Sequence, residues 1–140
     1  RHLVNRFWLN NLASLHNHRT LFNMDISGGM PAVIIKMLVA SEVGSIKLLP
    51  ALPAAWPTGQ VEGVLCRGVI EIERLRWDGK QVEVTLRSSK SQAVVLELPA
   101  EIGQLTVTDG AAKVSDADRQ SQRKVTIPND QPVTIAIQLK

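Results

Sequence analysis

Tyrosine is missing from this 140-residue chain, and its other aromatic residues are three Trp and two Phe. So small a supply leaves no ladder of rings on which single-stranded nucleic acid bases would stack. The one cysteine, Cys66, excludes an internal disulfide and any thiolate metal cluster. Long apolar runs are also missing: the longest, residues 33–35 and 37–40, fall far short of a bilayer-spanning helix, so no membrane segment is expected. There is no basic cluster either. The net charge is +3, but Lys and Arg are scattered among Asp and Glu, and nucleic acid is not an expected partner. His16 and His18 stand two apart with no further His or Cys nearby, too few ligands for a metal, and no cofactor is expected. A nucleophile with its base is absent as well: no Gly-x-Ser-x-Gly occurs, and the histidines lie far along the chain from Cys66.

What the chain does have is a proline-punctuated, apolar stretch from Ser45 to Gly68, with helical patterning before it and strand patterning after it. Pro50, Pro53 and Pro57 cannot sit inside a helix or a central strand without forfeiting a backbone hydrogen bond. Ile46, Leu48, Leu49, Leu52 and Trp56 make the stretch too apolar for a solvated linker, so it is expected to be an ordered, extended connection pressed between two layers, with Trp56 buried.

Before this stretch, Leu3, Val4, Phe7, Trp8, Leu12 and Leu15 recur at three and four, which predicts an amphipathic helix over residues 2–15. Asp25 stands in the apolar run 21–26, where a carboxylate must find donors or shift its pKa. It is therefore either a structural cap or a site residue. Gly28, Gly29 and Pro31 mark a helix start, and the helix runs to about Ser41. That helix is apolar on nearly every face and wants cover on both sides, so dimerisation through the helices, or aggregation, is expected of the isolated chain.

From Val61 on the period changes to two. Residues 64–67, 69–77, 81–87, 93–98, 104–108, 123–127 and 133–139 read as strands, with Ile72, Val84, Leu96 and Ile135 among the inward residues. Asp78-Gly79 is read as the two-residue loop of a hairpin; residues 110–122 are the most polar stretch, and within it Ser115-Asp116-Ala117-Asp118 is read as a mobile loop that lacks calcium-ligand spacing and a terminal Glu. The fold class is α+β: an N-terminal helical pair followed by an antiparallel β-sandwich of about seven strands. The expected organisation is a helical segment over 1–44, a Pro-rich ordered hinge over 45–60 and the sandwich over 61–140.

The pattern Leu-Leu-Pro-Ala-Leu-Pro-x-x-Trp-x-x-Gly-x-Val-x-Gly-x-x-x-Arg-Gly, filled by Leu48 to Gly68, resembles the junction of glycoside hydrolase family 95, the α-L-fucosidase family. The resemblance implies that residues 1–44 end an (α/α)6 barrel holding the active site and that a C-terminal β domain follows. It implies carbohydrate as the ligand of the parent enzyme, the rest of a barrel against the helices, for which a homodimer partner is the alternative that the apolar helix calls for, and a secreted or periplasmic parent. The family's active-site loop reads approximately His-Pro-Pro-Phe-Gln-Ile-Asp-Gly-Asn-Phe-Gly. Phe22 and Asp25 match it, whereas Arg19, Thr20, Leu21, Ile26, Ser27 and Gly28 depart from it. By this resemblance Asp25 is the candidate catalytic residue, the base side of an inverting hydrolysis. Such chemistry needs a second carboxyl group at roughly 6.5–9.5 Å, which in the family comes from earlier in the barrel. The chain is too short for a whole barrel, begins with Arg1 and reads as the tail of something larger, structural rather than fully catalytic alone. The alternative is a stand-alone β-sandwich module binding carbohydrate or protein, for which Trp77 is the aromatic on offer within the strands.

Overall fold

A computed structural model of the chain describes residues 8–10, 13–16 and 21–140. The chain divides into two units, Arg1–Lys36 and Met37–Lys140. In the first, β1 (Leu15–His16) pairs antiparallel with β2 (Leu21–Phe22), and Trp8 bridges Ser14. An amphipathic helix is expected over 2–15; among the described residues 8–10 and 13–15 none is helical, and residues 1–7 and 11–12 lie outside the described residues. A local competition explains the difference. The buried Ser14 hydroxyl bonds to the Asn23 carbonyl and to Ser27 Oγ, and such side-chain bonds offer the chain an alternative to helical pairing.

Helix α1 spans Met24–Leu38. It starts earlier than the glycine-proline signal predicts, because Asn23 Oδ1 accepts the Ile26 N–H at 3.1 Å and so caps the first turn. Gly28, Gly29 and Pro31 all fall within the helix. It also ends three residues early, since the β-branched Val39 opens a strand.

The second unit is mostly β. One five-stranded sheet has the order β10-β11-β8-β4-β3, built from β3 (Val39–Glu42), β4 (Ser45–Leu48), β8 (Gln92–Glu97), β10 (Lys113–Asp116) and β11 (Gln122–Ile127). The other, β5-β6-β7-β12-β9, is built from β5 (Thr58–Cys66), β6 (Ile70–Asp78), β7 (Gln81–Ser88), β9 (Ile102–Asp109) and β12 (Val133–Leu139). Neighbouring strands are antiparallel except β4 and β8, which run parallel with Ile46 opposite Leu96. The inward residues of both sheets share one core, in which Ile46, Leu48, Ile72, Leu86, Leu96 and Ile135 are fully buried. Each contributes about 1.5–3 kcal/mol by leaving water.

This is sandwich-like, with ten strands in the two sheets of this unit where about seven were expected. The additions are β3, β4 and β10. β3 takes up residues where the helix is expected to run on to about Ser41, β4 falls at the start of the expected hinge, and β10 overlaps the expected mobile loop at Ser115 and Asp116. β10 is exposed at every position and needs no apolar face, because its backbone pairs with β11 along the sheet edge. The hairpin loop after β6 is Gly79-Lys80, one residue later than predicted, since Asp78 still pairs with Gln81 and Gly79 takes the positive φ.

The turn from β5 to β6 places Val69 at φ +58° with 55% of its surface exposed. A β-branched residue is strained there, and little packing rewards it. Val69→Asn, a residue that tolerates this region, is expected to raise stability by about 1 kcal/mol, read as a higher urea midpoint at unchanged slope.

Candidate functional site

The candidate catalytic residue, Asp25, lies in the first turn of α1, where the helix dipole favours a carboxylate. It is exposed, and the capping position belongs to Asn23. Asp25 is the only acidic residue before Glu42, so its own unit holds no second carboxyl group. His16 is exposed on β1, and His18 lies outside the described residues. Met24 and Val33, on the same helix as Asp25, are largely exposed.

The motif from Leu48 to Gly68 forms a joint. Leu49, held at φ +55° and buried, donates its N–H to the Leu38 carbonyl at 2.7 Å, and Ala51 donates to Met37 at 3.0 Å. The last carbonyls of a helix have no partner within it, and here the chain itself supplies two after β4. Pro50, Pro53 and Pro57 all fall between β4 and β5, outside the strands. Trp56 is not buried as expected: it is 38% exposed. Its backbone carbonyl is what matters, accepting the Trp77 indole N–H at 3.0 Å. Gly59 packs directly on that indole, and a Cβ at Gly59 would come within 2.3 Å of a ring carbon. Farther on, the Arg67 N–H donates to Ser41 Oγ at 3.0 Å, and its guanidinium lies 3.4 Å from Glu42. The Gly68 carbonyl accepts from the Gln92 amide at 2.7 Å. The residues that spell the motif are thus engaged in closing the helix end, seating Trp77 and locking the first hairpin.

Cys66 is a small buried side chain at the end of β5; burial pushes its thiol pKa up, against a smaller opposing effect of the Ser41 side chain. It is correspondingly poor as a nucleophile. Trp77 is likewise buried, so the ring that a sugar-stacking module would need is turned into the core.

The proline-rich segment after β4 closes the end of α1 and leads into a two-sheet sandwich. The model of the family described as "Glycoside hydrolase family 95, C-terminal domain" matches residues 40–136. The chain belongs to that family. It is also 39% identical over 71 residues to Alpha-L-fucosidase 2 of Arabidopsis thaliana, a match covering 49% of this chain and 8% of that protein. The chain therefore spans only a small part of the length of that relative.

Proposed function

We propose that this chain is the C-terminal part of a hydrolase acting on α-L-fucosyl or related α-glycosides, in which the sandwich buttresses a helical catalytic region. Asp25 is the base-side carboxylate, and the acid that protonates the leaving group comes from outside these residues. The observation that carries this reading is the family match over residues 40–136; the source proposed for the acid follows because inverting hydrolysis needs two carboxyl groups roughly 6.5–9.5 Å apart and Asp25 has no acidic neighbour before Glu42. The capping role of Asn23 supports a site role for Asp25, since the helix start does not require the carboxylate. The exposed apolar residues of α1, Met24, Val33 and Ile35, are covered by further helices of the same enzyme.

The purified 140-residue chain is expected to release no aryl leaving group from aryl α-L-fucosides or aryl galactosides above the uncatalysed rate. Turnover of either substrate that disappears in Asp25→Asn would overturn the proposal. The reading of the sandwich as a binding module in its own right is favoured by one observation, a polar concavity on its outer surface.

A further inference from the structure

The outward side chains of the sheet β5-β6-β7-β12-β9 fall into register across all five strands. Gln60, Arg76, Glu83, Ala136 and Thr106 form one row, and Thr58, Asp78, Gln81, Gln138 and Gln104 form the next. Together they line a shallow concavity of about 740 Å³. Ala136, the smallest member, lies at the fourth position of its row and leaves the floor low between Glu83 and Thr106. Strands repeat at about 4.8 Å across a sheet, comparable with the length of one pyranose in an extended chain, so along the row from Thr58 to Gln104 each strand step presents a fresh polar group to a successive sugar.

The chemistry of this face is specific. Gln60, Gln81 and Gln104 are exposed, and each planar amide offers both a donor and an acceptor, the pairing that vicinal sugar hydroxyls require. Charge on this face is mixed: Arg76 stands beside Asp78 and Glu83 in the lining, and at its margin Arg74, in register with Glu62, pairs with Glu83 at 3.2 Å. A face with mixed charge and a slight carboxylate excess does not attract a polyanion and does not repel a neutral, hydroxyl-rich ligand. No aromatic side chain stands in the outward rows, and Trp77, the aromatic beneath them, is buried.

We propose that this face is a binding groove for a neutral oligosaccharide, lying across the strands and held by amide and hydroxyl hydrogen bonds rather than by ring stacking. The proposal rests on reading the chain as part of a carbohydrate-active enzyme, and it adds a second sugar contact separate from Asp25. Lacking a stacking ring, the groove binds weakly, with a dissociation constant on the order of 1 mM, about −4 kcal/mol.

The test is a titration of the isotope-labelled chain, followed by the side-chain amide signals of its glutamines, with fucosyllactose and cellohexaose as neutral probes and trigalacturonic acid as the charged one. Saturable shifts confined to Gln60, Gln81, Gln104 and Gln138 and their neighbours are expected with at least one neutral probe. Ala136→Trp, which fills the floor from the solvent side, and the double variant Gln81→Ala with Gln104→Ala should each weaken that binding at least tenfold while leaving the urea midpoint nearly unchanged. Flat titrations with both neutral probes, stronger binding of the acidic probe, or equal affinity in the variants would overturn the groove. The hydrolase reading is judged by turnover, so a flat titration removes the groove and leaves that reading standing.

Discussion

Replacing Trp77 by alanine is expected to cost the sandwich about 3–5 kcal/mol, the range for deleting a buried Trp. The ring is 6% exposed and belongs to the shared core. It also fills the space that Gly59 leaves by having no side chain, so its loss opens a void that backbone on β5 cannot easily close. The Trp56 carbonyl loses its indole donor at the same time. Since a domain of this size has about 5–15 kcal/mol of stability in total, the variant should unfold at a far lower urea concentration. Trp77→Phe keeps most of the volume and loses the hydrogen bond, so its cost should be about 1–2 kcal/mol. Equal midpoints for the alanine variant and the parent would mean that the ring does not anchor the joint to the second sheet.

The second large effect is expected at Gly110, which follows β9 at φ +83°. A Cβ there would sit 2.4 Å from the Pro132 carbonyl oxygen and 3.1 Å from Val133 Cα, both backbone atoms at the entry to β12. Gly110→Ala therefore combines a left-handed conformation, about 1–2 kcal/mol for a residue with a Cβ, with overpacking of about 1–3 kcal/mol. Gly44→Ala separates the two terms. Gly44 has nearly the same φ, +82°, but nothing within 4 Å of a new Cβ, so only the conformational cost applies. Urea unfolding should place Gly110→Ala well below Gly44→Ala. Coincident curves would show that β12 shifts freely to make room.

The strands that were legible in the sequence are those whose inward residues alternate over a long run. Ile70 and Ile72, then Leu75 and Trp77, stay inward on β6 despite a bulge between Ile72 and Arg74, and β7, β8, β11 and β12 follow the same rule. β4 is masked in the sequence because Ile46 and Leu48 run straight into Pro50 and Pro53, whose signal belongs only to the chain after the strand. β10 carried no apolar signal, being held at an edge by backbone bonds. The start of α1 was set by Asn23, a capping signal that the nearby Gly28, Gly29 and Pro31 overshadowed. Asp25 was visible as an oddity in an apolar run, but spacing alone could not show that the cap would be made by another residue. The outer-face glutamines were individually unremarkable polar positions; only the pairing of β5, β6, β7, β12 and β9 brings them into rows.

Under the proposed role, the residues that most resemble the family are a joint and not a catalyst, and that can be measured at two amides. Leu49 and Ala51 donate to Leu38 and Met37 at the end of α1, while Ala54 and Ala55 lie exposed in the turn that follows. Native-state hydrogen exchange should show Leu49 and Ala51 protected like the strand amides, exchanging more than about a hundredfold slower than Ala54 and Ala55 after correction for intrinsic rates. Exchange of Leu49 and Ala51 at the rate of those two alanines would contradict a joint that closes the helix end.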